Sequence, residues 1–305
     1  MPGFLRDSVG GVSAAKIAQD TPVATVRPRG ERRNMILARD GTPIGDLTTW
    51  QRLGGPKRSI QWKDGRSAKE LARTWLSVES PALPPEVAAA LTSHPDFGPI
   101  ERWTATPEAR VAFDDVPGEV RNTDLLVDAQ DTNGRFILSV EAKADEPFGD
   151  TVAETLGDAA ERTLNNPRSG ALRRVRQLLA ALLPPQPKIA PGQPAPEKYA
   201  KAGSLRYQLL TGAAGAISAA VKAGCERAVF LVQQFESVET DPARVARNAA
   251  ALDGFMHRVS SGRVSSVDSG SVYGPLAVPG LPLFSGRLPV LYVGKVVRYV
   301  VVPGA

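Results

Sequence analysis

The stretch from Thr123 to Lys143, TDLLVDAQDTNGRFILSVEAK, constrains the fold more than any other part of the chain. Two runs of alternating apolar and polar residues flank Asp131-Thr132-Asn133-Gly134, and the Asn-Gly pair is the signal of a tight hairpin. Strand side chains alternate between faces. Phe136, Leu138, Val140 and Ala142 therefore share one face of the second strand, and Ile137, Ser139, Glu141 and Lys143 share the other. On the first strand Leu125, Val127 and Ala129 oppose Asp124, Leu126 and Asp128. Two registers fit. A loop from Asp131 to Gly134 pairs Gln130 with Arg135 and sets Asp124 opposite Glu141. A loop of only Asn133-Gly134 sets Asp124 opposite Lys143. Both gather the three charged side chains on one face, whereas a one-residue slip would separate them.

Facing carboxylates repel across a strand pair, and a divalent cation together with Lys143 would compensate. Hard oxygen ligands hold Mg²⁺ or Mn²⁺. Such an ion acidifies a water and polarises a phosphate, while a neighbouring lysine positions the nucleophile and offsets developing negative charge. Metal-assisted phosphodiester hydrolysis needs this set of groups. A strand near a sheet edge with solvated charges shows the same E-x-K spacing, so spacing alone leaves both readings open.

Asp124, a hairpin and then Glu141-Ala142-Lys143 resemble the PD-(D/E)XK nuclease superfamily, which has the restriction-endonuclease-like fold. The resemblance implies Asp124 and Glu141 as metal ligands with the Ala142 carbonyl beside them, Lys143 as the catalytic lysine, and Mg²⁺ or Mn²⁺ as cofactor. Thr123 stands where the name-giving proline would be. The run Ala144-Asp145-Glu146-Pro147-Phe148-Gly149 is similar to uncharacterised bacterial nuclease-like proteins.

The order of elements agrees with that resemblance. Helical patterns cover about 151–164 and 169–183, a Pro-rich loop lies near 184–198, and a third helix runs from an N-cap at Ser204 to a C-terminal Gly224. Gly212 to Ala216 make one side of this helix thin, suited to close packing on a sheet. The apolar run from Arg227 reads as the next strand. Strand, strand, helix, strand is the core order of the family. The expected fold is therefore α/β, a mixed central sheet flanked by helices, with residues 61–305 as the nuclease-like domain and 1–60 as an N-terminal extension or small subdomain. In many members the core helix presents a glutamine or lysine to the metal, which makes Gln208 a candidate catalytic residue. An upstream helix often adds an acid, for which Glu70 and Glu86 are candidates. Ser67 with Glu70 also has the pattern of a capping box. The segment 109–115 reads as the strand before the hairpin.

With 305 residues, 42% of them hydrophobic, and no long apolar run, the chain reads as a soluble globular protein without a membrane partner. The start of the sequence lacks an apolar signal core, so a cytoplasmic location is expected. One cysteine, Cys225, excludes an intrachain disulfide and a cysteine-based zinc site. His94 and His257 are the only histidines, which gives no support to an H-N-H-type nuclease. No phosphate loop, dinucleotide fingerprint or nucleophile elbow is present. The net charge of +5 leans weakly towards a polyanion. Clusters at Arg27, Arg29, Arg32 and Arg33, at Lys57 and Arg58, and at Arg173, Arg174 and Arg176 offer phosphate contacts or ordinary solvated faces.

The leading expectation is a Mg²⁺- or Mn²⁺-dependent nuclease acting on nucleic acid, DNA first. A double-strand cutter with one site per chain would need a homodimer. The alternatives are a nucleic-acid-binding protein that keeps the fold without turnover, and an assembly protein with no nucleic-acid partner.

Overall fold

A computed structural model describes residues 35–56, 59–78, 82–116, 120–185, 201–280, 282–284 and 286–302. The arginine cluster at 27–33, Lys57, Arg58 and most of the Pro-rich loop lie outside these residues.

Among the described residues eight strands form one mixed sheet: β1 Met35–Leu37, β2 Pro43–Ile44, β3 Ile100–Val111, β4 Arg121–Asp131, β5 Gly134–Lys143, β6 Arg227–Glu236, β7 Ser271–Leu276 and β8 Val290–Tyr299. The spatial order is β2-β1-β3-β4-β5-β6-β8-β7. β1 runs parallel to β3, and β5, β6 and β8 are parallel neighbours, while β2, β4 and β7 run against their partners. β1 and β2 form a hairpin around Asp40-Gly41. Both strands lie at the edge of this one sheet.

Among the described residues seven α-helices cover the two faces: α1 Leu47–Gly54, α2 Ser67–Leu76, α3 Pro85–Thr92, α4 Val152–Asn165, α5 Ala171–Leu182, α6 Tyr207–Ala223 and α7 Pro242–Val259. Helices α1 to α3 bury Trp50, Leu71, Trp75 and Leu91 on one side, against Leu125, Val127, Phe136, Leu138 and Val140 of the hairpin. Helices α4 to α7 bury Val152, Leu178, Leu209, Ile217 and Phe255 on the other, against Ile137, Phe230 and Val232. The period-two alternation thus sorts the strands into two cores, and the central β5 is buried on both faces as a sandwiched strand must be.

The β4–β5 ladder pairs Asp131 with Gly134, Gln130 with Arg135 and so on to Leu125 with Val140. This is the register in which Asp124 faces Glu141. Gly212 of α6 sits where an added Cβ would lie 2.4 Å from the Phe230 ring, so the thin side of that helix does meet the sheet. Gly224 ends the helix in the left-handed conformation, φ 66°.

Several local expectations need correction. The N-cap of α6 is Arg206, with Ser204 one short 3₁₀ turn earlier. Ser67 is the first residue of α2, capped by Arg66, so it forms no capping box, and its hydroxyl donates to Glu146 instead. The strand before the hairpin begins at Ile100 rather than 109. Separately, β8 runs straight through Gly294, whose missing side chain admits the Ser271 carbonyl of β7. The true capping box belongs to α4, where Thr151 and Glu154 satisfy each other's backbone N–H groups.

Candidate active site

Glu141 lies near the C-terminal end of β5, the end of a parallel strand set at which α/β proteins bind ligands. Its side chain is 2% exposed, so its charge must be compensated by protein groups. Lys143 Nζ donates to Oε1 at 2.9 Å and Gln208 Nε2 donates to the same oxygen at 2.5 Å. Arg121 Nη2 donates to Oε2 at 2.5 Å, and Arg121 Nη1 donates to Thr211 Oγ1 at 2.8 Å. Burial opposes ionisation of Glu141, but the Lys143 and Arg121 charges outweigh it and hold the carboxyl below its ordinary range. Burial likewise opposes the Lys143 charge, and Glu141 and Asp124 outweigh it to raise the ammonium above its ordinary value.

The ladder with β5 ends at Leu125. Just beyond it, Asp124 Oδ2 accepts from the Ala142 backbone N–H at 2.7 Å, capping a donor of the neighbouring strand with a side chain. Burial, and after it the Glu141 charge, push the Asp124 carboxyl up to about 7. Two adjacent carboxyls in one pocket are thus shifted in opposite directions, because Lys143 and Arg121 bond to Glu141.

These groups face a cleft of about 890 Å³. Asp124, Glu141, Ala142, Lys143 and Gln208 all line it, so strand β4, strand β5 and helix α6 converge as the hairpin register and the core-helix match predicted. Lys63 and Arg66 form part of its rim, and Glu108 and Glu146 add two further acids. The upstream candidates are elsewhere. Glu70 accepts from the Gly65 N–H and from Arg73. Glu86 accepts from Gln233 and Arg298. Both are structural acids, and neither lines the cleft.

Sequence reasoning missed Arg121, Thr211 and Glu108. Strict alternation would turn Arg121 away from Glu141. Past the end of the ladder it turns instead towards α6, where Gly215 leaves room: a Cβ there would lie 3.5 Å from Arg121 Cδ. Thr123 follows, with its Oγ1 3.4 Å from Ser139 Oγ. Glu108 has a positive φ of 49° in the middle of β3, a strained conformation for a non-glycine residue that often marks a functional segment. The alternating pattern around it gave no sign of that turn. The Arg173 and Arg174 cluster is occupied, pairing with Asp115 and Asp114.

Among the described residues, no group of three or more His, Cys, Asp and Glu side chains is placed to hold a metal ion. The oxygen donors that the family resemblance assigns to a metal are the Asp124 and Glu141 carboxylates and the Ala142 carbonyl, and all three residues line the cleft beside Glu108 and Glu146. They fit a hard divalent cation in kind, with water completing the shell. Both Glu141 oxygens already accept from protein donors, so an ion would have to share or displace one of those contacts.

A family model described as Domain of unknown function (DUF6946) matches residues 43–289. No curated protein and no solved structure matches the chain.

Proposed function

The chain belongs to the DUF6946 family, and we propose that it is a divalent-metal-dependent nuclease, a DNA endonuclease built on a restriction-endonuclease-like core. One observation carries the reading. Asp124, Glu141, Lys143 and Gln208, chosen for their likeness to that superfamily, come together from β4, β5 and α6 in one cleft. In this reading Mg²⁺ or Mn²⁺, when bound, supplies a more acidic water and a polarised phosphate. Asp124, Glu141 and the Ala142 carbonyl would hold it.

The remaining chemistry belongs to the side chains. Glu141 anchors Lys143 at 2.9 Å, which fixes the ammonium beside the place of reaction. Lys143 orients the attacking water and offsets the charge that grows on the phosphoryl oxygens. Gln208, held against Glu141 at 2.5 Å, keeps the carboxylate in one rotamer. Lys63 and Arg66 on the rim attract the phosphate backbone. Among the described residues no helix is long and apolar enough to cross a membrane.

A second reading, a nucleic-acid-binding protein that keeps the fold without turnover, is favoured by one contact: Arg121 occupies Glu141 Oε2. Supercoiled plasmid, linear duplex, single-stranded DNA and RNA incubated with Mg²⁺, Mn²⁺ or EDTA separate the two. Cleavage that requires metal supports the nuclease. Salt-sensitive binding with no cleavage in either metal supports the second reading.

A further inference from the structure

Behind the wall of the main cleft lies a second pocket of about 380 Å³, lined by Asp145, Pro147, Arg206, Arg244, Arg247 and Asn248. The segment 144–149 separates the two, and Pro147 lines both. That wall is pinned from several sides. Asp145 Oδ1 accepts from Arg66 Nη1 at 2.6 Å, and the Glu146 carbonyl accepts from Asn248 Nδ2 at 2.8 Å. The Gly149 carbonyl accepts from Arg206 Nη1 at 2.9 Å. Both pockets therefore have a rigid common border.

The charge of the second pocket is unbalanced. Three guanidinium groups line it against one carboxylate, Asp145, and that carboxylate is already engaged by Arg66 on the cleft side. Arg244 lies 3.7 Å from Asp145 and 3.3 Å from Asp241. Arg206 spends one donor on a carbonyl, and a guanidinium has five. Arg247 forms no ion pair with any described residue and follows Arg244 by three positions on α7, so the two guanidinium groups are helical neighbours, and Arg247 is the one whose charge has no carboxylate partner there. Planar forks of this kind match phosphate oxygens.

We propose that this pocket binds a backbone phosphate of the nucleic-acid strand whose other phosphate lies in the main cleft. The proposal rests on the nuclease reading for the substrate class. It assigns Arg206, Arg244 and Arg247 to strand positioning on the far side of the 144–149 segment from the main cleft, and not to the reaction itself.

Binding measured without turnover tests it. Fluorescence anisotropy of labelled duplex and single-stranded DNA and of RNA is followed in EDTA over a range of NaCl concentrations, for wild type, Arg206→Gln, the double variant Arg244→Gln/Arg247→Gln, and Arg287→Gln. Arg287 is an exposed control that lines neither pocket. Circular dichroism confirms that each is folded. The double variant is expected to bind at least about tenfold more weakly at low salt, with the slope of log K against log salt reduced by about one, for the one phosphate no longer neutralised. Arg206→Gln is expected to fall in the same direction and Arg287→Gln to match wild type. A double variant with wild-type affinity and slope overturns the proposal. So does a wild type that binds no nucleic acid while inorganic phosphate still raises its melting temperature, since the pocket would then take only the free ion. Metal-dependent cleavage is scored separately. Binding through these arginines with no cleavage in any metal would leave this subsite standing and remove the nuclease reading.

Discussion

Glu141 is the residue on which the cleft turns, because a carboxylate with 2% side-chain exposure holds two cations and an amide at once. Its partner Arg121 is itself almost buried, at 8% side-chain exposure. Removing one member of a buried pair leaves charge without compensation, which typically costs about 3–5 kcal/mol. Arg121→Met is therefore expected to lower stability by about that amount in metal-free buffer, measured by urea unfolding. The same substitution frees Glu141 Oε2. If Arg121 holds the place a divalent ion would take, Mn²⁺ should raise the melting temperature of Arg121→Met more than that of wild type. An ion at a hundred times its Kd adds about 2.7 kcal/mol, a shift that thermal melts resolve. An equal or smaller rise would show that Arg121 does not compete for the site.

At the scale of elements, the site depends on how closely α6 approaches the sheet. Gly212 permits that approach: a Cβ would meet the Phe230 ring at 2.4 Å. In an exposed helix, Gly→Ala stabilises by about 1 kcal/mol. Here the same change is expected to destabilise, by about 1–3 kcal/mol, as overpacking of a filled core does. It should also weaken the Gln208 contact, since that residue rides on the same helix. Urea midpoints of Gly212→Ala and wild type check the sign.

This helix also marks the boundary of what the sequence displayed. The Gly212–Ala216 run and the alternation of β5 are local signals with their expected structural counterparts, and the hairpin turn falls one residue before the Asn-Gly pair, on Thr132-Asn133. The position of Arg121 is not local. It depends on where a ladder ends and on a gap over Gly215, and neither is written in the spacing of β4. Helix α7 is a different case. Leu252, Phe255, Met256 and Val259 are all buried and stand at i, i+3, i+4 and i+7, an amphipathic pattern that could have been read. The arginines along its other face were informative only once the fold set them beside the 144–149 wall.

For the whole molecule, the strands β1, β3, β5, β6 and β8 point the same way, so the cleft end of the sheet is distinct from the hairpin end. The hairpin end is locked by a different ion pair. Arg227 Nη1 and Nη2 donate to the two Asp131 oxygens at 2.8 and 2.7 Å, and Arg227 also donates to the Gly134 carbonyl at 2.8 Å. This pair ties the start of β6 to the turn between β4 and β5. Asp131→Ala is expected to cost about 3–5 kcal/mol in urea unfolding while leaving metal-dependent cleavage per folded molecule unchanged. A loss of cleavage in protein shown to be folded would mean that the two ends of the sheet are coupled.

The central claim is that Lys143 and Glu141 form a hydrolytic site, and nicking of supercoiled plasmid tests it most directly. Wild type, Glu141→Ala and Lys143→Ala are compared with Mn²⁺ and Mg²⁺ and with EDTA, all verified as folded. The account predicts metal-dependent nicking by wild type, abolished by EDTA. It predicts a fall of about 10²–10³-fold in Lys143→Ala, the scale for losing a group that stabilises transition-state charge, and no nicking in Glu141→Ala. Nicking at wild-type rate in either variant would contradict it.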